Sequence, residues 1–159
     1  MLRPIEAADL EGLAALLRNP GVARRWGSYD LDRVRAEFVE DPTAHGFVIE
    51  SGGQLVGLID FYEELEPDYR HASLDIAIAD ACQRQGIGAD AMRTLMTFLT
   101  SSRGHHRLTV DPAAANRDAV RFYENLGFRR VGVMRCYERG ADGKWHDGLL
   151  MEYIECPAE

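Results

Sequence analysis

Residues Ser73 to Phe98 constrain the fold more than any other stretch, because they set a strand, a glycine turn and an amphipathic helix in immediate succession. Ser73-Leu74-Asp75-Ile76-Ala77-Ile78-Ala79 is short and mostly apolar, with branched residues at Ile76 and Ile78, which predicts a largely buried strand. Gln83-Arg84-Gln85-Gly86-Ile87-Gly88 follows, and then Ile87, Ala91, Leu95, Phe98 and Leu99 recur at helical spacing. Glycines at the start of a helix let a ligand approach bare backbone amides. Those amides and the helix dipole favour an anion, usually a phosphate. The turn alone has a second reading, a strand-to-helix connection that needs positive φ.

Two phosphate-binding patterns do not fit. No lysine follows Gly88, as a Walker loop requires, and Ala91 stands where the third glycine of the dinucleotide fingerprint belongs. Gln/Arg-x-x-Gly-x-Gly/Ala after a strand instead resembles the acetyl-CoA-binding signature of the GNAT superfamily of N-acetyltransferases. A second match lies downstream: Asn116-x-x-Ala119-x-x-x-Tyr123-x-x-x-Gly127-Phe128 is similar to the next motif of that family, at the expected distance. The two motifs cover about residues 71 to 131.

The remaining segments are compatible. Leu2 to Ile5 reads as a short strand, and Asp9 precedes a capped helix through Leu17 that stops at Asn19-Pro20-Gly21. Leu31, Val34 and Phe38 space out a second helix. Phe47–Glu50 and Gln54–Ile59 flank Ser51-Gly52-Gly53 as a hairpin. Arg107–Asp111 reads as a strand broken by Pro112, Asn116 as the N-cap of a helix and Gly127 as its C′ residue. Phe128–Arg139 and Trp145–Ile154 read as a last hairpin. The sum is an α/β (α+β) sandwich, a mixed sheet of six or seven strands flanked by about four helices, expected to form one domain over residues 1–159.

A net charge of −8 argues against nonspecific nucleic-acid binding and is compatible with a cationic partner. Cys82, Cys136 and Cys156 are odd in number and lack metal-ligand spacing, so free thiols in a reducing compartment are expected, with no structural zinc. No apolar run approaches a membrane span and the first residues do not read as a signal peptide, so no membrane partner is expected and the cytoplasm is the default location. A monomer or a homodimer stays open. His45, His71, His105, His106 and His146 show no metal spacing, and His105-His106, where a loop meets a strand, is expected to be exposed.

The resemblance implies an acetyl-CoA-dependent N-acetyltransferase that modifies a small-molecule amine. Backbone amides of Gln85, Gly86, Ile87, Gly88 and Ala89 would hold the coenzyme diphosphate, with Gln83 and Arg84 nearby. The pantetheine arm would add to the strand edge at Ile76, Ala77 and Ile78, where a main-chain N–H would polarise the thioester carbonyl. Asn116 would contact the same arm. Tyr123 occupies the position of the family's general acid, and a phenol of pKa ~10 can protonate the departing thiolate. The rival role for Tyr123 is core packing. Arg121 would meet a phosphate or lie on a solvated face.

The acceptor amine must lose a proton before attack. For a lysine-like amine of pKa ~10.4 this costs about 4–5 kcal/mol at pH 7. Relatives often carry a glutamate where Ser73 stands; Asp75, two residues on, is the first candidate base, Asp111 the second and His71 a further alternative. Asp75 also has a structural reading. Asp60, Glu63, Glu64, Glu66 and Asp68 form an acidic run, either a solvated loop or a mouth that recruits a polyamine or amino sugar, with Asp60 and Glu63 gripping a second amine. Trp26, in Ala23-Arg24-Arg25-Trp26-Gly27, either stacks on the acceptor or anchors its loop.

Asp111-Pro112 before Asn116 and the Trp26-Gly27 pair resemble the aminoglycoside N-acetyltransferases, which makes an aminoglycoside the first expectation for the acceptor. The tail Gly143–Met151 is similar to the polyamine and ribosomal-protein N-terminal acetyltransferases, which keeps those acceptors open. A non-catalytic CoA-binding module would not need Tyr123.

Overall fold

The computed structural model describes residues 1–155, so Cys156 lies outside the described residues. The chain gathers into two compact units, Met1–Tyr62 with Asp75–Met92, and Glu63–Leu74 with the chain from Arg93 onward. Seven strands form one mixed sheet: β1 (Leu2–Pro4), β2 (His45–Ser51), β3 (Gln54–Glu64), β4 (His71–Ile78), β5 (Arg107–Val110), β6 (Arg129–Arg139) and β7 (Trp145–Ile154). Their order is β1-β2-β3-β4-β5-β7-β6. β4 and β5 run parallel, whereas the β1/β2, β2/β3, β5/β7 and β6/β7 ladders are antiparallel.

In the first unit, Gly52 and Gly53 both adopt positive φ (58° and 75°), as a two-residue turn of the primed type requires between β2 and β3. Helix α1 (Leu10–Leu17) turns Leu13, Ala14, Leu16 and Leu17 inward onto Val48 and Leu58. Each such buried leucine stabilises the unit by about 1.5–3 kcal/mol relative to exposure. Asp9 does not cap α1 with its side chain; its carboxylate accepts instead from the Arg3 guanidinium at 2.7 Å and from Glu6 N at 2.9 Å. Asn19-Pro20 ends α1 and also starts a helix that the sequence did not announce, α2 (Pro20–Trp26), because proline is pre-shaped for the first helical position. Asp30 Oδ1 accepts from Arg33 N and so opens α3 (Leu31–Arg35), which continues through a wider π-type turn at Ala36–Glu40.

Helix α4 (Ile87–Thr97) continues the same way through Phe98–Ser102. It buries Ala91, Met92, Leu95, Met96 and Leu99, but Phe98, expected on that face, is exposed. The π-type turn starts at Phe98 and departs from the 3.6-residue period on which that expectation rested.

In the second unit α5 (Arg117–Asn125) is opened by Asn116, whose Oδ1 accepts from Ala119 N at 3.2 Å, and closed at Gly127 with φ 96°. The described residues form five α-helices, against an expectation of about four. Tyr123, Phe128 and Tyr153 form a run of tilted and edge-on ring contacts.

Candidate active site

The turn after β4 is braced by its own side chains. Gln83 donates to Ile78 O at 3.0 Å and to Asp80 Oδ1 at 3.3 Å, and Gln85 donates to Ala81 O at 3.0 Å. Gln83, expected beside a phosphate, therefore spends its carboxamide on the turn. Arg84 (φ 60°) and Gly86 (φ 82°) are both left-handed, and the chain enters α4 at Ile87. A β-carbon at Gly86 would meet nothing within 4 Å, so the glycine answers to the positive φ. Residues Gln83 to Gly86 are exposed and Ile87 to Ala89 half-buried. Amides at the start of an eleven-residue helix, reached through an open glycine, suit a diphosphate.

β4 supplies the strand. Among the described residues its parallel ladder with β5 holds two pairs, Ala72 with Leu108 and Ser73 with Thr109, while β4 itself runs on to Ile78. Ser73, where relatives often carry glutamate, exchanges a hydrogen bond with the Thr109 hydroxyl at 2.9 Å. Asp75 is exposed, and its Oδ1 accepts from Ile76 N at 2.8 Å. Ala77 is buried, whereas Ile76 and Ile78, expected to be buried, are half-buried. Gly57 on β3 packs hard against this strand: a β-carbon there would sit 2.8 Å from Ala77 O and 2.8 Å from Ile78 Cδ1.

The acidic run is not one solvated loop, because Asp60 and Glu63 lie within β3 and both are buried at the side chain. Asp60 is 3% exposed and its Oδ1 has no hydrogen-bond partner. Burial pushes its carboxyl well above the usual carboxylate range, and the charges of Asp75 and Glu37 add to the rise. Glu37 accepts from the Tyr29 hydroxyl and from Arg33 Nε at 2.8 Å, and the Arg33 guanidinium stacks over the Tyr29 ring at 4.0 Å. Burial also raises the Tyr29 and Tyr62 phenols. Sequence reading missed Glu37 and Tyr29, since Arg33 and Glu37 have only the i,i+4 spacing of an ordinary surface pair.

Glu63, in the second unit, is taken by Arg103 and by His105 Nε2, the latter at 2.6 Å. Arg103 first and His105 second hold its carboxyl down to about 2. His105 is thus buried rather than exposed, and His106 alone of the pair faces solvent. Tyr123 is buried on α5 and touches Phe122 and Phe128 edge-on. Asp111 is exposed and accepts from the Tyr137 hydroxyl. Trp26, the last residue of α2, is half-buried against Tyr29 and Phe38. Arg121 is exposed. Among the described residues no group of three His, Cys, Asp or Glu could hold a metal ion, and no helix is long and apolar enough to cross a membrane.

This order of strands and helices is a fold already seen in N-acetyltransferases. The structure of spermidine N-acetyltransferase from Vibrio cholerae, solved with CoA and spermine, superposes with a TM-score of 0.83 at 22% identity, covering 98% of this chain and 95% of that one. Residues 11–128 match the Acetyltransferase (GNAT) family, and the chain belongs to that family. Spermidine N(1)-acetyltransferase of Escherichia coli is 25% identical over 156 residues, 94% of this chain and 83% of its own length. Aminoglycoside N(6′)-acetyltransferase type 1 of Klebsiella pneumoniae is 26% identical over 153 residues, 84% of this chain and 75% of its own. The protein is an acetyl-CoA-dependent N-acetyltransferase of the GNAT type.

Proposed function

We propose that this enzyme acetylates a primary amine of a small polycation, a linear polyamine first and an aminoglycoside second. The observation that carries the reading is Asp75, an exposed carboxylate on β4 immediately before Ile76, Ala77 and Ile78. It sets an acidic group for the incoming ammonium beside the strand residues assigned to the pantetheine arm. The E. coli spermidine enzyme supports the polyamine, since its similarity spans 94% of this chain. Asp111-Pro112 ahead of Asn116 and the Klebsiella relative support the aminoglycoside.

The donor brings an activated acetyl group as a thioester. The amides of Gln85 to Ala89 bind its diphosphate, aided by the dipole of α4, and Ile76 to Ile78 orient the arm. Asp75 receives the ammonium proton, directly or through water, with Asp111 as the second candidate. Tyr123 returns a proton to the sulfur as the thiolate leaves, and Asn116 steadies the arm. Residues 1–159 work as one catalytic domain in the cytoplasm. A thiol-release assay with acetyl-CoA and spermidine, 1,4-diaminobutane, kanamycin and short peptides tests the reading. Turnover of the polyamines or the aminoglycoside is expected; turnover of peptides alone would replace it with protein acetylation.

A further inference from the structure

Asp60 presents an anomaly within the first unit. A carboxylate oxygen with no hydrogen-bond partner, on a side chain more than nine-tenths buried, costs free energy unless some group comes to meet it. Its surroundings are acidic and aromatic. Glu37 lies on the π-type turn, Asp75 on β4, Tyr62 two residues along β3, and Tyr29 ahead of α3 with Arg33 over its ring. The position opposite Asp60 on β2 is Gly46, which brings no charge. Arg33 is the cation of this group, and its Nε is already given to Glu37. A cation is the one ligand that satisfies the oxygen and lowers the repulsion together.

We propose that Asp60 is the seat of a second, non-reacting ammonium group of the acceptor, with Asp75 and Glu37 adding attraction at longer range. The inference rests on the polycation reading and deepens it: the enzyme selects acceptors with two or more amines over monoamines. An ammonium ion fits better than a metal, because the carboxylates are not grouped closely enough to ligate one. The Tyr29 and Tyr62 phenols both feel the Asp60 charge, and aromatic rings near the seat suit a cation carrying a methylene chain. Burial and acidic neighbours push the carboxyl up, and a docked ammonium opposes that rise, so diamine binding favours the ionised form of Asp60.

The test compares butylamine with 1,4-diaminobutane as acceptors for the full chain and for Asp60→Asn, an isosteric change. For the wild type, kcat/KM should favour the diamine at least about tenfold, and Asp60→Asn should remove most of that preference, through KM. Glu37→Gln should weaken the preference by a smaller factor. Calorimetry of 1,4-diaminobutane binding in two buffers of different ionisation heat should show more proton release for the wild type than for Asp60→Asn. Equal use of both amines by the wild type, or an unchanged preference in Asp60→Asn, overturns the seat while leaving acetylation of amines intact. If neither amine is turned over and peptides are, the underlying function fails and the seat with it.

Discussion

Glu63 and His105, forty-two residues apart, meet inside the second unit with 2.6 Å between Oε1 and Nε2, and Arg103 closes on the other carboxylate oxygen. The contact joins the end of β3 to the residues just before β5. Glu63→Gln should destabilise the protein at pH 7 by on the order of 2 kcal/mol, the scale of hydrogen bonds to a charged group. The folded carboxyl titrates near 2, below its ordinary 4.5, so its contribution is complete above about pH 4.5 and fades as the pH falls towards 2. Urea unfolding at pH 7 and pH 3 measures it. An equal penalty at both values would remove the charge from the explanation.

Asp60 should behave in the opposite way. Its folded carboxyl titrates above the unfolded one, so the folded state holds the proton more tightly and loses stability as pH rises beyond the ordinary carboxylate value. Asp60→Asn should therefore raise the melting temperature at pH 8 and change it little near pH 4. A melting temperature lowered at pH 8 would contradict this account of the carboxyl.

Gly57→Ala should destabilise by about 1–3 kcal/mol, because the added carbon meets the Ala77 carbonyl and the Ile78 side chain at 2.8 Å. The strain falls on the strand assigned to the pantetheine arm, so the dissociation constant for CoA should rise several-fold. Calorimetry with CoA checks this, and unchanged affinity with lowered stability would free the strand edge from that role.

Tyr123→Phe should cut kcat by about 10²–10⁴-fold, the usual range for a positioned acid, while CoA affinity stays within a factor of a few. Retained turnover in the thiol-release assay would return Tyr123 to the ring contacts with Phe122 and Phe128 that it makes in any case.

Asp75→Asn should lower kcat/KM and alter the acid limb of its pH profile. A profile of unchanged shape would pass the base to Asp111.

The two family motifs carry local geometry, which is why their region was legible in the sequence. Positive φ at Gly86, the Asn116 cap and the Gly127 terminus each follow from a residue type at a fixed offset. The carboxylates were not legible to the same degree. Asp60 and Glu63 sit three apart in one acidic run, yet β3 buries both, and Glu63 finds a cation while Asp60 does not. That difference depends on Arg103 and His105, some forty residues away, and no local pattern encodes it. Glu37 escaped notice for a related reason, as its meaning comes from Tyr29 and Asp60 rather than from its own helix. Phe98 is exposed beside the buried Leu99, at the point where the α-helix gives way to a π-type turn that its sequence did not announce.

The cap on α5 restricts what Asn116 can say to a visitor. Its carbonyl oxygen gives one lone pair to the Ala119 amide, so the NH₂ group is the part of the side chain with its whole capacity left. A group recognised there gains most by offering lone pairs, such as the C=O of an amide linkage. The neighbouring N–H of that same linkage would have to be greeted by another residue.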